Sequence, residues 1–209
     1  MSKLSLRTEG LHLWRGERHV LRGVAFELCG GEVLQLTGAN GAGKTSLLRT
    51  LCGLIHPEEG RILWGGVDVR QDLRAFHAAL AYVGHEPPLK ADLTARENLR
   101  YWVGVRRRVA AQDVTRALES VGAAAYSDRP VRTLSAGQRR RVALAGLALM
   151  AVPLWLLDEP TTNLDTEGQQ LVGKMIEQHV ADGGLVVGAV HHELPVPPSL
   201  VRRLPLGAE

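Results

Sequence analysis

The sequence predicts an α/β fold with a mainly parallel sheet and an inserted helical lobe. Three observations carry that expectation. Short apolar runs alternate with helical stretches, a glycine-rich loop directly follows one such run, and residues from about 87 to 150 read as helix. The 209 residues, 45% apolar and 22% charged, fit one compact globular domain. A net charge of +3 suits an anionic ligand or a membrane surface and does not call for nucleic acid. Cys29 and Cys52 stand in no metal-ligand or CxxC spacing and read as reduced thiols.

Residues 4–13 and 20–28 read as strands, with Gly30-Gly31 turning the chain. A short buried strand over 33–37 then runs into the glycine-rich loop. Residues 46–52 are apolar at helical spacing, and Gly53 ends that helix. Further short strands are expected over 61–64 and 80–83. Thr94-Ala95-Arg96-Glu97 is a capping box opening a helix through Trp102, and Ser135-Ala136-Gly137-Gln138 opens a second through Met150. Residues 142–157 are apolar throughout, yet fall short of the roughly 20 residues of a spanning helix and contain Pro153. They read as a buried helix ending near Ala151 and a buried strand over 154–157. A helix over 166–181 and a strand over 185–190 follow. Met1-Ser2-Lys3-Leu4 opens no apolar segment, so no secretory signal is expected.

Gly38-Ala39-Asn40-Gly41-Ala42-Gly43-Lys44-Thr45 fits G-x-x-x-x-G-K-[ST] between a strand and a helix. The glycines let successive N–H groups turn inward as an anion nest, and the helix that takes in Ser46 presents its positive end. Lys44 is then a point charge for the β- and γ-phosphates, and the Thr45 hydroxyl is a ligand for Mg²⁺. The run 154–157 ends in Asp158-Glu159, which places both carboxylates at the C-terminal edge of a strand. Asp158 suits the Mg²⁺ shell, and Glu159 suits a general base for the attacking water.

A phosphate loop alone leaves several nucleotidase classes open, and Leu134-Ser135-Ala136-Gly137-Gln138 narrows them. Over essentially its whole length the chain resembles the ABC (ATP-binding cassette) ATPases, whose L-S-G-G-Q-type signature this segment matches. The resemblance implies a P-loop NTPase (RecA-like) core with a mainly parallel sheet, an N-terminal antiparallel β subdomain and a helical subdomain inserted at about 87–150, all within one nucleotide-binding domain spanning 1–209. It also implies Mg²⁺ with ATP as cofactor and a homodimer in which Ser135, Ala136, Gly137 and Gln138 of one copy close on nucleotide held by the other. Ser135 reads as an N-cap and as part of that site. Asn163-Leu164-Asp165 resembles the D-loop of the dimer interface, and His191 the histidine that meets the γ-phosphate, with His192 a neighbouring competitor. Trp14 is a candidate to stack on adenine or, equally, a core or surface aromatic.

The chain departs from the family at three places. His85 stands where the Q-loop glutamine is expected, Ala136 replaces the first signature glycine, and Gly146 replaces a frequent arginine in mid-helix. Gly84-His85-x-Pro87-x-Leu89-Lys90 and Leu93-Thr94-x-x-Glu97-Asn98-Leu99, with Leu63-Trp64-x-Gly66, resemble the ATP-binding subunits of bacterial haem exporters used in cytochrome c maturation. That implies integral membrane partner subunits and a peripheral place on the cytoplasmic face of the inner membrane. No C-x-x-C-H occurs, and direct haem binding by this chain is not expected. Arg106-Arg107-Arg108 and Arg139-Arg140-Arg141 read as solvated helix faces in preference to lipid contacts.

Overall fold

A computed structural model of the protein describes residues 4–207; the first three residues, on which part of the signal reading falls, lie outside them. The chain divides into two compact units. One holds the residues up to Tyr82, Val152–Glu159 and those from Ile176 onward; the other holds Val83–Ala151 and Pro160–Met175.

The first unit carries two sheets. Strands β1 (Ser5–Arg15) and β2 (Arg18–Cys29) form an antiparallel hairpin, and β4 (Glu59–Trp64) and β5 (Val67–Asp68) extend it in the order β2-β1-β4-β5. The second sheet has the order β6-β7-β8-β3-β9, from β6 (Leu80–Val83), β7 (Leu154–Asp158), β8 (Leu185–Ala189), β3 (Val33–Thr37) and β9 (Val201–Pro205). β7, β8, β3 and β9 run parallel. Every residue of β7 and β8 is buried, as is 33–36 of β3, which is why these runs are continuously apolar rather than alternating. Leu34, Leu36, Leu154, Leu156, Leu185 and Val187 pack with Leu47, Leu48 and Leu51 of helix α1 (Lys44–Leu51) in one core. A six-residue helix, α2 (Leu73–Ala78), begins at Asp72, whose carboxylate accepts the Ala75 N–H.

The helical unit is built from α3 (Ala95–Gly104), α4 (Ala111–Ser120) and α5 (Ala136–Met150). Both capping boxes form. Thr94 and Glu97 exchange bonds at the start of α3, and Ser135 and Gln138 at the start of α5. From Val142 to Leu147 α5 is buried at every position, which accounts for the apolar run in the sequence. It ends on Ala151 in the left-handed conformation, φ 50°. The mid-helix Gly146 has a steric reason: a Cβ there would lie 2.3 Å from the Trp102 ring. Helix α6 (Thr166–Ala181) spans the division between the units.

The strand β9, at the sheet edge, was not read from the sequence; Arg202, Arg203 and Pro205 hide it, and an edge position tolerates all three. Arg139–Arg141 is not a solvated face. Arg140 is 2% exposed and donates to the Gly84 and His85 carbonyls, both at 2.9 Å. Arg139 donates to the Leu134 carbonyl at 2.7 Å, and Arg141 to the Val121 carbonyl and Asp165. Three successive helical residues point about 100° apart, so a charge run cannot share one face. Arg106, Arg107 and Arg108 are exposed, but they follow the end of α3 and form no helix face.

Candidate nucleotide site

The end of β3 passes into the phosphate loop through Gly38 (φ 139°), and the loop meets α1 at Gly43 (φ 103°), conformations that side chains rarely adopt. Space is also short: a Cβ on Gly38 would lie 2.5 Å from the Leu206 carbonyl oxygen, and one on Gly43 3.0 Å from Val20 Cγ1. The segment after β9 therefore braces the loop, and Leu206 N–H donates to the Thr37 carbonyl at 2.8 Å. Helix α1 starts at Lys44, earlier than the apolar spacing implied. Lys44 is 7% exposed, and its Nζ donates to the Gly38 and Ala39 carbonyls at 2.6 and 3.2 Å. A buried ammonium that donates to two neutral carbonyls is poised for an anionic partner.

Across the sheet, β7 ends on Asp158, 2% exposed, whose Oδ1 accepts the Thr45 hydroxyl at 3.2 Å. Two hard oxygens at that separation match adjacent positions on octahedral Mg²⁺, where bonds of about 2.1 Å set ligands about 3 Å apart. The donor set fits the ion. Glu159 follows with φ 50°, a strained value for a non-glycine residue, and its N–H donates to the Ala189 carbonyl at 2.8 Å. That turn sends its carboxylate to His191, with Nε2 and Oε1 2.6 Å apart. His191 lies just past β8, 40% exposed at the side chain, against 20% for Glu159. One pocket of about 570 Å³ is lined by Asn40, Gly41, Lys44, Thr45 and Ser46, by Asp158, Glu159 and His191, and by Arg15, Arg18 and Val20 of the β1–β2 hairpin. Ammonium, hydroxyl, two carboxylates and an imidazole thus converge where a triphosphate, a metal and a water can be held.

The other expected residues are placed as follows. Trp14 does not line this pocket; its ring stacks on His19 with centroids 3.9 Å apart. His192 is exposed and also absent from the lining. Within the helical unit, Ser135 caps α5, and a Cβ on Gly137 would lie 2.5 Å from the carbonyl oxygen of Asn163, itself at φ 65°. Ala136 is exposed, and Gln138 completes the capping box. Leu164 is buried, and Asp165 accepts from Gly168 N–H and Arg141. Those two interactions, the Gly168 bond first, hold its carboxyl below the usual range. His85 is exposed, its carbonyl held by Arg140. Sequence reasoning missed Arg15 and Arg18, which stand some twenty residues before the loop and carry no motif.

A sequence profile described as ABC transporter matches residues 21–162. The chain belongs to the ABC transporter family. A Cytochrome c biogenesis ATP-binding export protein CcmA of Methylococcus capsulatus is 46% identical over 197 residues, covering 94% of this chain and 95% of the relative. The protein of that name from Salmonella typhi is 43% identical over 204 residues, 96% of each chain. Among solved ABC structures, the ATP-binding subunit of an ABC transporter superposes with a TM-score of 0.81 at 25% identity, covering 89% of this chain and 79% of that one. A bacterial Atm1-family ABC exporter with ATP bound gives a TM-score of 0.82 at 25% identity, covering 100% of this chain and 38% of that one. The P-loop NTPase core with its parallel sheet and antiparallel β portion is thus the fold of ABC ATPase domains.

Proposed function

We propose that this chain is the ATP-hydrolysing subunit of a membrane export complex serving cytochrome c biogenesis, coupling ATP turnover to haem export or to release of a haem-loaded chaperone. The observation that carries the chemistry is the convergence of Lys44, the Thr45–Asp158 pair and the Glu159–His191 pair in one pocket. The relatives bearing the name CcmA, similar along nearly their whole length, support the process.

In this reading Gly38–Ser46 cradles the triphosphate of ATP, and Lys44 exchanges its carbonyl partners for β- and γ-phosphate oxygens. Thr45 and Asp158 would hold Mg²⁺, which supplies charge neutralisation on those phosphates when bound. Glu159 orients a water and takes its proton as the water oxygen attacks the γ-phosphorus. The bond from that phosphorus to the β–γ bridging oxygen breaks, leaving ADP and phosphate. His191, in contact with Glu159, steadies that carboxylate and reaches the γ-phosphate.

The homodimer reading assigns Ser135, Ala136, Gly137 and Gln138 of a second copy to the far side of each nucleotide, with Asn163, Leu164 and Asp165 lining the seam and His85 at the Q-loop position facing membrane subunits. No described helix is long and apolar enough to cross a membrane, and the proposed location is peripheral, on the cytoplasmic face of the inner membrane. Deleting the gene and staining membranes for covalent haem tests the process. Loss of c-type cytochromes is expected; intact ones redirect the same ATPase to another cargo such as lipid or drug, or to a non-transport interaction role.

A further inference from the structure

The β1–β2 hairpin closes on the two-residue turn Gly16-Glu17, which sets Arg15 opposite Arg18 as its last pair. Both side chains are exposed, and both line the pocket that also holds Lys44 and Glu159. Arg18 is engaged with the loop itself, its Nη2 donating to the Gly41 carbonyl at 2.7 Å. The other end of that same peptide, the Ala42 N–H, donates to the Ala39 carbonyl at 3.1 Å. One peptide at the tip of the phosphate loop is therefore tied at both ends, and a cross-strand arginine makes one of the ties. Arg15 has no carboxylate partner among the described residues, and Glu17 beside it has no cationic one.

A guanidinium left without a carboxylate, beside a pocket built for an anion, has a natural ligand in a phosphate oxygen, to which its planar fork can donate twice. The short turn fixes the backbone at the hairpin end, so forming that contact orders the Arg15 side chain without also ordering a loop. We propose that the end of this hairpin is a nucleotide-binding element: Arg15 donates to the polyphosphate of the bound nucleotide, and Arg18 is a positioning residue that sets the loop tip to receive it. This rests on the nucleotide reading of the pocket. It differs from a base-stacking role for the hairpin, because it makes the hairpin a reader of phosphate charge.

Equilibrium titration of the full chain with MgATP, MgADP and adenosine tests it. Arg15→Gln weakens MgATP and MgADP roughly tenfold, the scale of one charged hydrogen-bonding contact, and leaves adenosine unchanged. Arg15→Lys recovers part of the loss. Arg18→Ala weakens MgATP as well, Arg18→Lys restores it, and both keep the melting temperature of the unsubstituted protein. Arg15→Gln binding MgATP within twofold of the unsubstituted chain overturns the proposal and leaves the pocket assignment standing. An unsubstituted chain that binds no MgATP, or binds it equally well with Lys44→Ala, overturns both.

Discussion

At the phosphate loop, Gly38 and Gly43 are needed for their backbone conformation, at φ 139° and 103°, and the groups around them point into a pocket. At the start of α5, Gly137 is needed for space against the Asn163 carbonyl, and the polar groups around it satisfy one another through the capping box. Both are glycine-bearing motifs next to a helix N-terminus. The first is built outward, toward a ligand; the second is built inward, toward its own fold. Within a single chain the polar groups of the second motif are satisfied by their own fold, and Ser135 and Ala136 are its exposed members.

Substitutions sharpen that contrast. The largest effect is expected at Lys44→Ala, which should lower MgATP affinity at least about 100-fold, since two or more charged hydrogen bonds go. Calorimetric titration checks it, and an affinity within tenfold would blur the distinction. In the helical unit the losses should fall on stability. Gly146→Ala gains about 1 kcal/mol of helix propensity. It nevertheless forces a Cβ to within 2.3 Å of Trp102. Overpacking of that kind costs about 1–3 kcal/mol, so urea denaturation should show a net loss, relieved when Trp102→Leu is added. Ser135→Ala removes a side-chain cap and should cost about 1 kcal/mol in the same assay.

The smallest effect concerns His179, whose ring stacks on Trp155 and bonds the Pro153 carbonyl at 3.1 Å. Burial pushes its pKa below the ordinary 6.5, against the opposing pull of that carbonyl. Below pH 6.5 the unfolded chain takes up a proton that the native chain refuses. Stability is therefore full above that pH and declines as pH falls toward the lowered native value. Thermal melts from pH 7 to 5 should show the decline, and His179→Phe should flatten it.

The strands that position the site were legible because burial on both faces makes them continuously apolar, and the phosphate loop because its chemistry demands fixed spacing. What stayed hidden came from tertiary neighbours. Nothing local marks 201–205 as a strand, since an edge position accepts Arg202, Arg203 and Pro205. Arg140 looked solvated because burial of an arginine depends on two carbonyls more than fifty residues away. Arg15 and Arg18 reach the pocket only through hairpin pairing, which a linear reading does not bring beside residue 41. Trp14, a candidate for adenine stacking, has its ring stacked on His19 and does not line the pocket.

Glu159→Gln gives the most direct measurement of the whole account. Light scattering and nucleotide turnover, followed together with MgATP, should show a protein that binds ATP, hydrolyses it at least about 100-fold more slowly, and accumulates as a dimer. A variant that stays monomeric while hydrolysing ATP at the unsubstituted rate would contradict it.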